Sequence, residues 1–185
     1  RGMTKLTQLH LQLGSDIEEI DLSLVAGLTE LTELNLYCNG QSSVVDRDLS
    51  PLAGLTKLQI LQLPADVESL APLAGMTDLK NLSLAVNGNN NEYSDLTDIS
   101  ALANMPKLTS LFLSLGDVQD LSPLQNLTKL TELYLYGNFT AKDFTFLQNA
   151  VKLQTLNFNP YNDGSQIGLD SFRGLEKLTE LRDLG

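Results

Sequence analysis

The sequence predicts an α/β solenoid in which each of a series of short repeats adds one strand to a parallel β-sheet. Two observations predict it. From Met105 to Asn126 the chain reads MPKLTSLFLSLGDVQDLSPLQN, and the spacing Leu108-x-x-Leu111-x-Leu113 returns all along the 185 residues. Between the copies recur related phrases, Asp48-Leu49-Ser50-Pro51-Leu52 and Asp120-Leu121-Ser122-Pro123-Leu124. A unit of this size cannot bury its apolar side alone, so neighbours stack and share one continuous core.

The units in order are Met3–Gly27, Leu28–Gly54, Leu55–Gly75, Met76–Asn104, Met105–Asn126, Leu127–Asn149 and Ala150–Gly174, with a shortened eighth at Leu175–Gly185. Because each shares its core with the next, residues 1–185 read as a single domain, and the abrupt start and stop read as a segment of a larger protein. Their unequal lengths are those of a natural sequence rather than of a consensus-designed array. In each unit the x-Leu-x-Leu-x segment alternates with period two and predicts a short strand, as at Gln8–Gln12, Glu33–Tyr37, Glu132–Tyr136 and Thr155–Asn159. Parallel neighbours need a crossover. The Ser-Pro phrases predict 3-10 or one-turn helices there, on the convex side, with the serine hydroxyl as cap and proline presetting φ.

Three residues after the second strand leucine stand Gly14, Asn39, Asp66, Asn87, Gly116, Asn138 and Tyr161. Asparagine here is expected to turn inward and bond neighbouring backbone as a ladder, which only Asn39, Asn87 and Asn138 retain. Extra length falls after the strand, at Gly40–Ser43, Gly88–Ser94 and Pro160–Ser165. These stretches are rich in turn formers and are expected to be exposed; insertions on one side of a solenoid often mark a working edge, but loops also tolerate length for no functional reason.

Hydrophobic residues make up 42% of the chain and aromatics 6%, with no tryptophan, so leucine fills the core. A net charge of −11 opposes the basic grip that nucleic acid requires and disfavours anionic membranes. It would match a basic protein partner. No stretch approaches the roughly 20 apolar residues of a membrane span, and no signal peptide is visible. The lone Cys38 admits no internal disulfide, which fits a reducing compartment or a bacterial exterior protein without disulfides.

Catalysis is not expected. His10 has no serine or cysteine nucleophile beside it, and pairs such as Asp46/Asp48 or Asp117/Asp120 read as turn and cap residues. One histidine and one cysteine in different repeats leave a transition metal without ligands. The stretch from Asn87 to Asp95 offers oxygens to calcium but lacks the EF-hand spacing. No metal and no cofactor is expected. The triplets at Asn81, Asn126 and Asn138 match glycosylation sequons, which this repeat creates by its own spacing.

The run Leu127-Thr128-Lys129-Leu130-Thr131-Glu132-Leu133-Tyr134-Leu135-Tyr136-Gly137-Asn138 and the phrase Asp98-Ile99-Ser100-Ala101-Leu102-Ala103-Asn104 resemble the 22-residue leucine-rich repeats of bacterial internalins. The resemblance covers essentially the whole chain. It implies a leucine-rich repeat solenoid, a curved, right-handed horseshoe with its parallel sheet on the concave face. It further implies an extracellular or cell-surface bacterial protein that recognises a host or neighbouring protein through that face. A related repeat class occurs in regulatory subunits of protein phosphatases, so a cytoplasmic scaffold is the alternative. A structural spacer within a larger surface protein is another.

On the concave face the residues alternating with the strand leucines meet solvent. Between the two leucines the column reads His10, Asn35, Gln62, Ser83, Phe112, Tyr134, Asn157 and Arg182. After them come Gln12, Tyr37, Pro64, Ala85, Ser114, Tyr136, Asn159 and Leu184. Before them stand Gln8, Glu33, Ile60, Asn81, Ser110, Glu132, Thr155 and Glu180. Strands about 4.8 Å apart put Phe112 beside Tyr134, with Tyr136 two residues along. The expected partner-binding set is Tyr37, Phe112, Tyr134, Tyr136, Asn35 and Asn157, since no core position calls for these aromatics. The bland alternative is that the rings merely stack on one another. Lys5, Lys57, Lys107, Lys129, Lys152 and Lys177 predict a basic rim. Asp16, Glu18, Glu19, Asp21, Asp46, Asp48, Asp95, Asp98, Asp117 and Asp120 predict an acidic one. Ends without caps would leave core leucines and sheet edges open, so the isolated segment is expected to associate end to end or to be marginally stable.

Overall fold

The computed structural model describes residues 3–14, 20–38, 47–84, 94–160 and 172–185. Eight strands form one parallel sheet in chain order: β1 (Gln8–Leu13), β2 (Glu33–Cys38), β3 (Ile60–Leu63), β4 (Asn81–Leu84), β5 (Ser110–Val118), β6 (Glu132–Phe139), β7 (Thr155–Pro160) and β8 (Asp183–Leu184). The sheet is open, with β1 and β8 at its edges. The crossovers among the described residues carry only short 3-10 turns. This is the predicted solenoid.

Register follows the repeat. Leu9, Leu34, Leu61, Leu82, Leu111, Leu133 and Leu156 lie level across successive strands. From β2 to β7 these leucines are completely or almost completely buried, each contributing about 1.5–3 kcal/mol. At the edges strand leucines lose a neighbour. Leu9 on β1 is only half-buried, Leu11, the second leucine of that strand, is 44% exposed, and Leu184 on β8 is 50% exposed.

The strands are entered through a ladder the sequence did not announce. The carbonyl of Thr7 accepts the N–H groups of Thr32 (2.7 Å) and Glu33 (3.2 Å), and the carbonyls of Thr32, Gln59, Lys80, Thr109, Thr131 and Gln154 repeat the arrangement. Hydroxyls of Thr32, Thr109 and Thr131 add a further bond to the same carbonyl column, at 3.0, 3.1 and 2.9 Å. Of the expected asparagine ladder, Asn39, Asn87 and the substituted Tyr161 lie outside the described residues, and Asn138 is half-buried on β6. The three insertions also lie outside them, apart from Ser94 and Pro160.

The 3-10 turns occur where Ser-Pro was read, at Ser50–Leu52 and Ser122–Asn126, and also at Leu22–Leu24, Ala71–Leu73, Ser100–Asn104 and Thr145–Leu147. At Ala71–Leu73 the Ala71 N–H donates to the Ser69 hydroxyl oxygen at 3.1 Å, but in the other five the cap is not a serine hydroxyl. The N–H groups of Ser23, Ser50, Ser100 and Ser122 donate at 2.8 Å to the carboxylates of Asp21, Asp48, Asp98 and Asp120, two residues earlier. Thr145 does the same with Asp143 at 3.0 Å. An Asp carboxylate reaches the N–H two residues on, whereas a serine inside the turn cannot reach that position. The hydroxyl instead donates to the same carboxylate, at 2.7 Å from Ser23 and 3.0 Å from Ser122.

The eighth repeat takes a different frame from the one read in the sequence. Asp183 pairs with Thr155, and Leu184 pairs with Leu156, so Leu184 rather than Leu181 is its first strand leucine. Leucines at 175, 178, 181 and 184 recur every third residue and fit two frames equally well. Packing chooses between them. The Arg182 and Asp183 N–H groups bond the Gln154 carbonyl at 2.9 and 3.1 Å, as those of Gln154 and Thr155 bond the Thr131 carbonyl, which puts Leu178 at the start of the unit. Gly174, at φ +99°, runs against the backbone of Phe144, where a Cβ would come within 2.4 Å. Glu180 and Arg182 therefore leave the strand-face columns, and Lys177 leaves the lysine column.

Candidate recognition face

On β5 and β6 Phe112 stands opposite Tyr134 and Ser114 opposite Tyr136. Phe112 stacks on Tyr134 with ring centroids 5.5 Å apart and 27° between planes, and meets Tyr136 at 5.1 Å and 31°. All three rings are half-buried on the side opposite the leucine core. They do stack on one another, and they still keep part of their surface in solvent. Ser83 lies level with Phe112 on one flank. Asn157 and Asn159 lie level with Tyr134 and Tyr136 on the other. Glu132, exposed, accepts the Ser110 hydroxyl at 3.0 Å through Oε2.

The other two expected residues form a separate group on β2. Tyr37 is 47% exposed and its hydroxyl donates to Gln62 Oε1 at 2.7 Å. Three strand spacings, about 14 Å, separate β2 from β5. Asn35 does not stand out into solvent as its column predicts, being 5% exposed. Its side chain is short, and Nδ2 sits 3.3 Å from His10 Nε2, which in turn lies 3.1 Å from Glu33 Oε2. Gln8 Nε2 donates to the other Glu33 oxygen at 2.9 Å. The Oδ1 atoms of Asn35 and Asn157 are buried and accept no bond from the described residues.

The leucine-rich repeat family, as two copies, matches residues 106–149. Internalin C2 from Listeria monocytogenes matches over 93% of this chain and 69% of its own, with 27% identity and a TM-score of 0.67. The chain is similar to leucine-rich repeat proteins of the internalin kind. The Arabidopsis receptor kinase HAESA, solved in complex with a peptide hormone and a co-receptor, shares the fold at 19% identity. That match spans 96% of this chain and 29% of the receptor, with a TM-score of 0.59. No curated protein matches the chain. The leucine-rich repeat fold is a general protein–protein interaction module, and its members are typically binding proteins rather than enzymes.

The rims of this internalin-like chain are less segregated than its lysines imply. Equivalent positions just before the leading leucine read Lys5, Glu30, Lys57, Asp78, Lys107, Lys129, Lys152 and Glu180. Lys57 donates to both oxygens of Glu30 at 2.7 Å, and Lys107 donates to Asp78 at 2.5 Å, holding that carboxyl below its usual range. The expected basic rim is thus an alternating one over its first half. On the other side Arg47 meets Asp66 at 3.1 Å, Glu68 at 3.8 Å and Asp95, and the hydrogen bond to Asp95 raises its pKa. Asp16, Glu18, Glu19 and Asp46 lie outside the described residues. So does the Asn87–Asp95 stretch, apart from Ser94 and Asp95. Among the described residues no group of three His, Cys, Asp or Glu side chains could hold a metal ion. None of their helices is long and apolar enough to cross a membrane.

Proposed function

We propose that this chain is a non-enzymatic recognition module of a bacterial surface or secreted protein. Residues 1–185 would form one leucine-rich repeat domain that binds a protein partner through the concave face around Phe112, Tyr134 and Tyr136. The observation that carries the reading is the ring cluster itself: three aromatics packed on one another, outside the leucine core and open to solvent. Aromatic anchors of this kind dominate binding energy because they bury large area at low entropic cost. The 27% identity to a Listeria internalin supports the bacterial surface setting. That the same fold holds a peptide hormone in the plant receptor is consistent with a binding role.

The test compares the wild-type chain with Phe112→Ala and Tyr134→Ala for capture of proteins from intact target cells. Truncating an anchor should weaken capture about thirtyfold while leaving the melting temperature almost unchanged. A large fall in melting temperature with capture intact would make the rings structural and overturn the reading.

A further inference from the structure

The frame of β8 alters the chemistry of the recognition face. With Leu184 level with Leu156, Arg182 enters the strand through the carbonyl ladder, its N–H on the Gln154 carbonyl at 2.9 Å. It does not stand among the face residues. Neither lysine nor arginine then occupies any described position of the three face columns. Carboxylates do, at Glu33, Glu132 and Asp183, which share the first column. The lysines gather instead on the rim where the strands begin. In the aromatic cluster Glu132 precedes Tyr134 by two residues on the same side of β6, about 6.6 Å along the strand. Its Oε2 takes the Ser110 hydroxyl, and its Oε1 takes no bond from the described residues.

A π-face with a half-used carboxylate beside it and no cation of its own is complementary to a cation. From this charge pattern we infer that the cluster takes an arginine side chain from a basic segment of the protein partner. The inference rests on the recognition reading above and deepens it. A guanidinium is planar and weakly hydrated, so it lies flat on an aromatic ring within about 6 Å of the centroid. Its remaining N–H groups fork toward Oε1 of Glu132. A lysine ammonium holds its water more tightly and makes only a point contact. The net charge of −11 steers such a segment toward the molecule, and the cation-free face gives it a place to dock.

The probe is a blocked Gly-Arg-Gly tripeptide, titrated while the ring resonances of Phe112, Tyr134 and Tyr136 are followed by NMR. The comparators are the same peptide with lysine and with citrulline, the neutral isostere. Arginine should bind most tightly and citrulline should barely shift the rings. Glu132→Gln and Tyr134→Leu should each weaken arginine binding about fivefold, and Glu68→Gln on the far rim should not change it. Equal binding of citrulline, or full binding by Glu132→Gln, overturns this inference. If capture of the partner is still lost in Phe112→Ala, the recognition reading survives that failure. Capture retained in Phe112→Ala overturns the recognition reading itself.

Discussion

Aspartate does the repetitive work of this molecule. Asp21, Asp48, Asp120 and Asp143 each accept a backbone N–H two residues ahead, and each is held below the usual carboxylate range. For Asp21, Asp48 and Asp143 the larger cause is the hydroxyl of the following Ser or Thr, and for Asp120 it is the N–H of Ser122. The unfolded chain lacks these donors. A carboxyl whose folded pKa is depressed stabilises the fold above its unfolded pKa, and that stability is lost as pH falls through the folded value. The window therefore opens near pH 4 and extends below it. Asparagine offers the same acceptor without titrating. A double variant, Asp48→Asn with Asp120→Asn, should melt like the wild type at pH 7 and lose less stability between pH 4 and pH 2. Parallel acid profiles for the two proteins would show that these caps are not the source of acid sensitivity. The D-x-S and D-x-T spacing stands in the sequence. Its meaning is an i to i+2 geometry, which is local and in principle legible there.

At the scale of elements, the central pair of strands is longer than the repeat requires. β5 and β6 continue to Val118 and Phe139, with a register shift between Leu115 and Val118. Phe139 then packs against Phe158 with centroids 4.2 Å apart. Two glycines permit this extension. Gly137 has φ +118°, and a Cβ there would come within 2.0 Å of the Leu115 carbonyl oxygen. At Gly116 a Cβ would meet the Ser94 carbonyl oxygen at 2.4 Å. Gly137→Ala should cost about 2 kcal/mol or more and should speed amide exchange in Leu115–Val118 more than in β2. Unchanged unfolding in denaturant would refute this account of the glycine. The strands were legible because period two against a leucine core has one solution per unit. Their extension was not, since it depends on a close backbone approach that no alternation encodes.

For the molecule as a whole, stacking makes the two ends complementary. The alternating column begins at Lys5 and closes at Glu180, so a second copy set against β8 would bring Lys5 to Glu180 as Lys57 meets Glu30 within the chain. Half-exposed Leu11 and Leu184 line the open edges. A head-to-tail contact of this kind does not close on itself. The isolated 1–185 segment should sediment as a concentration-dependent series of species, and Glu180→Lys, by opposing Lys5, should shift it toward monomer. A monodisperse monomer of high melting temperature would contradict the expectation. Of the candidate site, the Phe112, Tyr134 and Tyr136 cluster was legible because strand spacing alone puts those residues together. The burial of Asn35 was not legible, because it depends on how His10 and Glu33 lie beside it.

By itself the sequence determined the solenoid, the register of β1 to β7 and the meeting of the three rings. A leucine phrase repeated with period-two alternation leaves only one way to bury every unit against its neighbours. Only the tertiary structure decided the frame of the last repeat, the pairing along the rim and the absence of lysine and arginine from the described positions of the candidate face. Leucines spaced by three satisfy two frames alike along the chain. The choice falls to contacts between residues about 30 apart in the chain, such as Gly174 against Phe144 and Arg182 against Gln154.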